Sequence, residues 1–192
     1  KQIEQLGTGT TFKEVSRENK GNGVFVSDMG ANFAGWVRIK VKGERGAAVT
    51  MKFGERLDDN GFVNQLNLRS ARCSDKYILR GDGIEEFAPR FTYHGFQYVE
   101  FVIEGNAELL EVVGEHVHSS CEVVGSFKCS DETLNKLHEI AVLTERSNEH
   151  SILTDCPQRD ERFGWLNDLG SRVFQTVYNI DMSRFFPKFA RD

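Results

Sequence analysis

The sequence is poor in the features that define several protein classes. It has only three prolines, its 18 glycines follow no period, and its longest apolar runs are a few residues, whereas a membrane-spanning helix needs about 20. Collagen-like and low-complexity proteins are excluded, and no membrane partner is expected. Hydrophobic residues make up 39% of the 192 residues and charged residues 28%, which suits a globular protein of one or two domains.

An excess of positive charge is also lacking. The chain carries 24 lysines and arginines against 29 aspartates and glutamates, a formal net charge of −5, and its basic residues form no cluster. Nucleic-acid surfaces depend on such clusters, so no nucleic-acid partner is expected. Residues 1–13 hold no apolar region of the kind found in signal peptides. The compartment stays open between cytoplasmic and, after processing, periplasmic or secreted.

Cysteines are few and far apart, and no C-x-x-C pair occurs among Cys73, Cys121, Cys129 and Cys156. A disulfide scaffold has a denser pattern, so we expect thiols. A zinc site needs clustered ligands, and the nearest approach to one is the pair His116 and His118 beside Cys121. Strand alternation puts both histidines on one face. We expect that face to lie in solvent and to bind no metal.

The first 124 residues have the pattern of strands. Short runs rich in β-branched and aromatic residues are separated by turn residues, and Trp36–Val41 alternates with a period of two. We predict an antiparallel β-sandwich over residues 1–124, whose first run ends at Asp28–Gly30. The predicted strand runs are Val24–Val26, Trp36–Val41, Ala48–Phe53, Lys76–Leu79, Phe96–Ile103 and Leu109–Val117.

The period changes to that of helices after Gly125, so we place an all-α domain in residues 125–192. Ser130 is the predicted N-cap of a first helix, which runs from about Asp131 towards Asn148. A second periodic segment spans Leu166–Tyr178, and a third, shorter one spans Met182–Ala190.

The connection between the first two helices is the part richest in chemistry. It reads Asp155-Cys-Pro-Gln-Arg-Asp-Glu-Arg-Phe-Gly-Trp165, and Asp168 follows one helical turn later. A carboxylate beside an aromatic wall and other carboxylates can hold its proton and act as a general acid. An indole face beside acids is what a sugar site offers. On spacing alone, a charged connection that merely ties two helices together is slightly favoured, and Cys156 is better explained as a buried thiol than as a nucleophile.

This eleven-residue run closely resembles the signature of the bacterial α-L-rhamnosidases of glycoside hydrolase family 78. The resemblance implies a concanavalin-like β-sandwich followed by the start of an (α/α)6 six-hairpin catalytic barrel. It also implies an inverting enzyme that removes terminal rhamnose from glycosides or polysaccharides without a cofactor. Other segments that resemble the family, in the same order, are Gly30–Arg38, Lys52–Glu55, Pro89–Tyr98 and Gly125–Ser130.

The resemblance assigns a role to each matching residue. Glu161 matches the general acid, Asp155 and Asp168 match carboxylates that hold rhamnose hydroxyls, and Trp165 matches a wall of the sugar pocket. Arg159 lies within the motif, where it orients these carboxylates or touches the sugar. An inverting enzyme also needs a second carboxylate as base. The family carries it on a later barrel helix without counterpart in these 192 residues, so we expect the chain alone to be catalytically incomplete.

Two departures from the family pattern stand out. Leu166-Asn167 stands where a Thr-Gly pair is usual before Asp168, which leaves the sugar preference open, and Gln97 replaces a frequent arginine, which we expect to alter an ion pair. The alternatives are a non-catalytic carbohydrate-binding or interdomain module and a glycosidase of other specificity. We also expect that the sandwich cannot cover all the apolar residues of the helices. The helical part should then pack against another chain, for example by self-association, or along the sandwich edge, or be poorly ordered. The residues concerned are Leu134, Leu137, Val173, Val177, Phe185, Phe186 and Phe189.

Overall fold

The computed structural model describes residues 6–192 and contains ten β-strands and three α-helices over that range. The order along the chain is all β and then all α. The strands are β1 Leu6–Lys13, β2 Ser16–Gly21, β3 Val24–Gly43, β4 Ala48–Gly54, β5 Arg56–Leu57, β6 Val63–Asn64, β7 Ser74–Ile78, β8 Ile84–Phe87, β9 His94–Glu104 and β10 Ala107–Ser119; the helices are α1 Glu132–Arg146, α2 Leu166–Asn179 and α3 Phe185–Phe189.

Eight strands form one sheet in the order β1-β10-β3-β9-β4-β7, with β2 and β8 also paired to β3, while β5 and β6 form a separate ribbon. The 20-residue strand β3 holds this sheet together. Its first part pairs with β2 and β9 and its second part with β10 and β8, all antiparallel. The curled antiparallel sheet followed by helices confirms the predicted fold class.

Strand β3 is longer than the sequence pattern predicted. The run was expected to end at Asp28–Gly30, but the strand continues to Gly43, and its pairing with β9 shifts register between Asp28 and Phe33. Gly30 has φ +74 and donates its amide to the Asp28 carboxylate at 2.7 Å. A local irregularity therefore produced the turn signal. Beyond it, Trp36–Val41 shows the predicted alternation of partly and fully buried residues.

Aromatic rings form the centre of the core under the sheet. Phe12 stacks on Phe33 with centroids 4.4 Å apart, and Phe33 packs on Phe96 at 4.7 Å. Phe96 meets Phe53 at 4.9 Å, and Phe53 stacks on the His94 ring at 4.2 Å. Phe33, Phe53 and Phe96 are fully buried. This row of rings supplies a large apolar area to the core.

The helical part has a core of its own. Helix α1 begins one residue later than predicted, because Asp131 and not Ser130 is the N-cap and accepts from the Thr133 amide at 2.8 Å. Of the apolar helix residues that were not all expected to be covered, Phe185 is buried, at 2% exposed, whereas Leu137 is 62% exposed. The core members are Cys121, Leu153, Ile180, Met182 and Phe185, with Leu169, Phe186 and Phe189 packed against them.

The chain divides into two compact units. A sheet unit comprises Thr10–His116 together with Gln158–Asp160, and among the described residues a helical unit comprises residues 6–9, Val117–Pro157 and Glu161–Asp192. The predicted boundary between residues 124 and 125 stays a prediction. No helix among the described residues is long and apolar enough to cross a membrane.

The two histidines of strand β10 correct one prediction. His116 and His118 were expected in solvent, but they are 2% and 3% exposed. Residues 116–119 are buried on both strand faces, and alternation alone does not reveal that a second face is covered.

All four cysteines lie among the described residues, and none forms a disulfide, as predicted.

Candidate active site in the connection before helix α2

The connection between α1 and α2 contains a loop that is closed by two residues of the helical unit, Asp155 and Phe163. Asp155 donates its amide to the Phe163 carbonyl at 2.9 Å, and its carboxylate oxygen Oδ1 accepts from the Phe163 amide at 2.8 Å. Between these points, Arg162 adopts φ +58, a left-handed conformation that non-glycine residues seldom occupy. The Asp155 hydrogen bonds therefore hold the loop in a conformation that the chain would not choose by itself.

Buried polar contacts anchor the start of this loop. Thr154, 2% exposed, donates its amide to the Asn148 carbonyl at 2.8 Å, and its hydroxyl donates to the same carbonyl at 3.1 Å. Its own carbonyl accepts from Arg172 of α2 at 3.3 Å. Arg172 in turn lies 3.6 Å from the buried carboxylate of Glu145. Asp155 thus follows a residue whose main chain is fixed on both sides.

Glu161 and Trp165 are joined by a hydrogen bond from the indole Nε1 to the carboxylate Oε1, 3.2 Å long. Trp165 is 52% exposed and lies edge-on to Phe163, itself 58% exposed, with centroids 5.8 Å apart. A carboxylate tied to an accessible aromatic surface is an arrangement suited to a sugar, whose C–H face packs on rings and whose oxygens bond to acids. Sequence reasoning did not single out Phe163.

Asp155, Cys156 and Glu161 form a compact cluster, with one potential metal-ligating atom of each within 4.8 Å of the others. The Cys156 thiol donates to Asp155 Oδ2 at 3.0 Å. Partial burial acts to raise the pKa of Asp155, but the bonds from Cys156 and from the Phe163 amide outweigh it and hold the pKa below its usual value. We propose no metal here, because the cluster is already joined by the Cys156–Asp155 hydrogen bond.

The remaining predicted site residues lie at other points of the fold. Asp168 is in the first turn of α2, where the helix dipole favours a carboxylate, and its side chain makes no hydrogen bond or ion pair with a described residue. Trp165 occupies the N-cap position instead of the first turn, so the predicted helical i, i+3 pair does not form in that way. Arg159 is part of the sheet unit.

Two family models match consecutive parts of the chain. Residues 18–118 match the model of the bacterial alpha-L-rhamnosidase concanavalin-like domain, which covers more than half of the chain. The chain belongs to the bacterial α-L-rhamnosidase family. Residues 122–192 match the bacterial alpha-L-rhamnosidase 6 hairpin glycosidase domain. The site loop therefore lies in the segment that matches the glycosidase domain of this family.

Individual rhamnosidases are similar over most of the chain. An alpha-L-rhamnosidase of Streptomyces avermitilis is 39% identical over 171 residues, 88% of this chain. Solved structures of alpha-L-rhamnosidases from Dictyoglumus thermophilum and from S. avermitilis, the latter complexed with L-rhamnose, superpose with TM-scores of 0.93 and 0.92 at 38% and 35% identity. They cover 99% and 97% of this chain but 22% and 18% of theirs. The chain spans 17–19% of the length of the curated relatives it matches.

Proposed function

We propose that this chain forms part of an inverting α-L-rhamnosidase and contributes its general acid, Glu161. The observation that carries the proposal is the hydrogen bond from Trp165 Nε1 to Glu161 Oε1, in a loop that matches the family's glycosidase domain. The indole fixes one oxygen of the carboxyl group. The other oxygen then carries the proton that is given to the glycosidic oxygen as the bond to the anomeric carbon breaks.

The other predicted residues would hold the sugar. Asp155, Asp168 and Arg159 offer charged partners for rhamnose hydroxyls, and the exposed face of Trp165 offers a wall for its C–H face. The two Asp155 oxygens already accept from Phe163 and Cys156, but a carboxylate accepts about four hydrogen bonds. Asp155 can therefore close the loop and bind a hydroxyl at the same time.

An inverting reaction needs a second carboxylate to activate the water, about 6.5–9.5 Å from the acid. We propose that a part of the protein outside these 192 residues supplies it. The 192-residue chain alone is then expected to show no turnover of an aryl α-L-rhamnoside above background. Turnover by the purified chain that is lost in Glu161→Gln would contradict this division of acid and base.

The acid role is tested by Glu161→Gln in the complete enzyme. The glutamine oxygen still accepts from Trp165, but the side chain has no proton to give. We expect hydrolysis of a natural rhamnoside, with a poor leaving group, to fall by about 10²–10⁴-fold and that of an activated aryl rhamnoside to fall much less. Glu139→Gln, an exposed change on α1, is the control. Equal losses on both substrates would refute the acid role.

A non-catalytic carbohydrate-binding role is the second candidate, because Phe163 and Trp165 form an exposed aromatic surface. It predicts that the complete protein binds L-rhamnose, with a change in Trp165 fluorescence, but hydrolyses no rhamnoside. Rhamnose binding without rhamnoside hydrolysis would therefore indicate the binding module, and hydrolysis would indicate the enzyme.

A further inference from the structure

Three residues of the signature loop, Gln158–Asp160, pack within the sheet unit. The Asp160 carboxylate oxygen Oδ2 accepts from the Ser70 amide at 3.1 Å and from the Ser70 hydroxyl. The Cys73 thiol donates to the Gln158 carbonyl at 3.1 Å. Both ends of the three-residue segment are therefore bound, by residues 85 and 90 positions away in sequence.

Gly95 provides the space in which Gln158 lies. It is a buried residue of β9, paired with Ala34 of β3. A Cβ atom at this position would be 2.9 Å from Gln158 Cβ and 3.0 Å from its main-chain nitrogen, which is too close for real contacts. Any side chain other than hydrogen would displace Gln158. The Gly95 backbone is that of an ordinary strand, so it is space and not unusual conformation that requires glycine here.

The segment that carries Ser70 and Cys73 is itself held in place. Gln65 Nε2 donates to the Phe53 and Cys73 carbonyls, both at 2.9 Å. Leu68, 1% exposed, anchors the middle, and Arg69 adopts φ +57 immediately before Ser70. Because this surface is pre-formed, binding Gln158–Asp160 does not incur the entropy cost of ordering it.

We propose that Ser70, Cys73 and Gly95 are positioning residues that fix Gln158–Asp160, and thereby the main chain of Arg159 and the peptide bond that leads from Asp160 into Glu161. The proposal rests on the proposed function for its catalytic consequence. General acid catalysis depends on sub-ångström placement, and a displacement of 1 Å can cost about 10²-fold in rate. A methyl group at Gly95 requires a shift of a few tenths of an ångström.

This role differs from a simple contribution to stability. The Ser70–Asp160 contact lies at the surface, since both residues are exposed, and exposed polar pairs contribute little to folding. Bonds from Ser70 are the main reason that the pKa of Asp160 is lowered, so the contact favours the ionised carboxylate. Its loss should therefore change the placement of the loop much more than the unfolding free energy of the chain.

The contact itself is tested on the 192-residue chain by amide hydrogen exchange. In Gly95→Ala we expect the Ser70 amide to exchange about ten-fold faster or more, because its acceptor moves away, and Cys73 to be alkylated faster. Gly7→Ala in β1, where a Cβ meets nothing within 4 Å, is the matched control and should change neither. Asp160→Ala, at the surface, gives the same Ser70 readout if Gly95→Ala fails to fold. Unchanged Ser70 exchange in both variants would overturn the proposal.

The catalytic consequence is tested in the complete enzyme with two leaving groups. Gly95→Ala and Ser70→Ala are expected to lower kcat on a natural rhamnoside about ten-fold and on an activated aryl rhamnoside much less, because protonation by Glu161 is what suffers. Partial unfolding would lower both equally. Ser70→Thr, which keeps the hydroxyl, should restore the rate, and Ser74→Ala at the start of β7 is the control.

The two experiments also separate the two proposals. A wild-type protein that hydrolyses no rhamnoside refutes the proposed function and with it the catalytic consequence, whereas Ser70 exchange still decides whether the contact exists. An active wild type whose Gly95→Ala and Ser70→Ala variants show full activity on both substrates refutes the positioning role alone.

Discussion

Asp155 and Phe163 are joined twice, once through their main chains at 2.9 Å and once through the Asp155 carboxylate and the Phe163 amide at 2.8 Å. The double connection closes a loop that contains Arg159 and Glu161. Asp155 is therefore a structural residue of the site as well as a predicted sugar ligand. The structural role needs only an oxygen that accepts the Phe163 hydrogen bond, which an asparagine side chain would also provide. The role as a sugar ligand also uses the charge of the carboxylate.

Asp155→Asn and Asp155→Ala should separate these roles. Asn keeps an acceptor for the Phe163 amide, so we expect near-normal protection of that amide against exchange. Ala removes the acceptor, and we expect faster exchange at Phe163 and a loss of about 1 kcal/mol in unfolding free energy. In the complete enzyme, both variants should weaken rhamnose binding. Fast Phe163 exchange in Asp155→Asn would show that the charge, and not the acceptor, holds the loop.

Gln97 stands where the family often has an arginine, and this difference was predicted to alter an ion pair. In the structure, the Gln97 side-chain amide donates to Asp28 Oδ1 at 3.0 Å. We therefore expect Gln97→Arg to form an ion pair with Asp28. Because both side chains are only partly buried, the gain in unfolding free energy should be below about 1 kcal/mol. Urea denaturation of the single variant, of Asp28→Asn and of the double variant measures the coupling. A gain that persists in the double variant would exclude Asp28 as the partner.

The strands that were predicted have a recognisable local sequence pattern. The elements that were missed depend on contacts with other parts of the fold. Trp36–Val41 alternates because one face is buried, and that is visible in the sequence. Strand β2, Ser16–Gly21, has only polar residues and glycine and was missed, because its pairing with β3 supplies the structure that its own residues do not favour. The burial of His118 likewise depends on what covers the second face of β10.

The same distinction applies to the site. Asp155, Glu161 and Trp165 lie within eleven consecutive residues, so a resemblance to a family signature finds them. Ser70 and Gly95 lie 90 and 63 positions before Asp160 and Gln158, and no period or motif relates residues at such separations. Their contact with the loop follows only from the three-dimensional packing of the sheet unit.

Glu149 is a fully buried carboxyl group beside α1 in the helical unit. Neither of its carboxylate oxygens accepts a hydrogen bond from a described residue. Burial, and then repulsion from Glu145, raise its pKa to about 8, although Arg146 and Arg172 act in the opposite direction. Glu149 is therefore protonated in the folded chain at neutral pH, when it would be ionised in the unfolded chain.

This raised pKa makes stability fall with rising pH. The contribution is fully present below the unfolded pKa of 4.5 and is lost as pH rises towards 8. Buried His150 and His118, whose pKa values are lowered mainly by burial, act oppositely, but only below their unfolded pKa of 6.5. Between pH 6.5 and 8 we expect the unfolding free energy to decrease, with a slope of up to about 1.4 kcal/mol per pH unit.

Urea denaturation across this pH range checks the assignment. Glu149→Gln, which cannot ionise, should lose the slope, whereas Glu139→Gln on the exposed face of α1 should keep it. A slope that survives Glu149→Gln would assign it to another group, of which Glu145 is the first to test, since burial also raises its pKa.

The outer faces of the helices present apolar side chains to solvent. Leu137 of α1 is 62% exposed, and Phe174 and Tyr178 of α2 are 75% and 76% exposed. Each large apolar side chain left in water forgoes about 1.5–3 kcal/mol of burial, and a contiguous patch of several is uncommon on a monomer. We therefore expect the 192-residue chain to associate with a second copy through these faces.

Size-exclusion chromatography with light scattering tests this on the 192-residue chain and on residues 1–124. We expect the 192-residue chain to self-associate with rising concentration and residues 1–124, which lack α1 and α2, to remain monomeric. Replacing Leu137 and Phe174 by glutamine in the longer chain should reduce the association, because the exposed faces then bind water. Ser171→Gln, a polar change on α2, is the control and should leave it unchanged. A monomeric 192-residue chain with protected helix amides would contradict this prediction, because the helices would then be stable without a second copy.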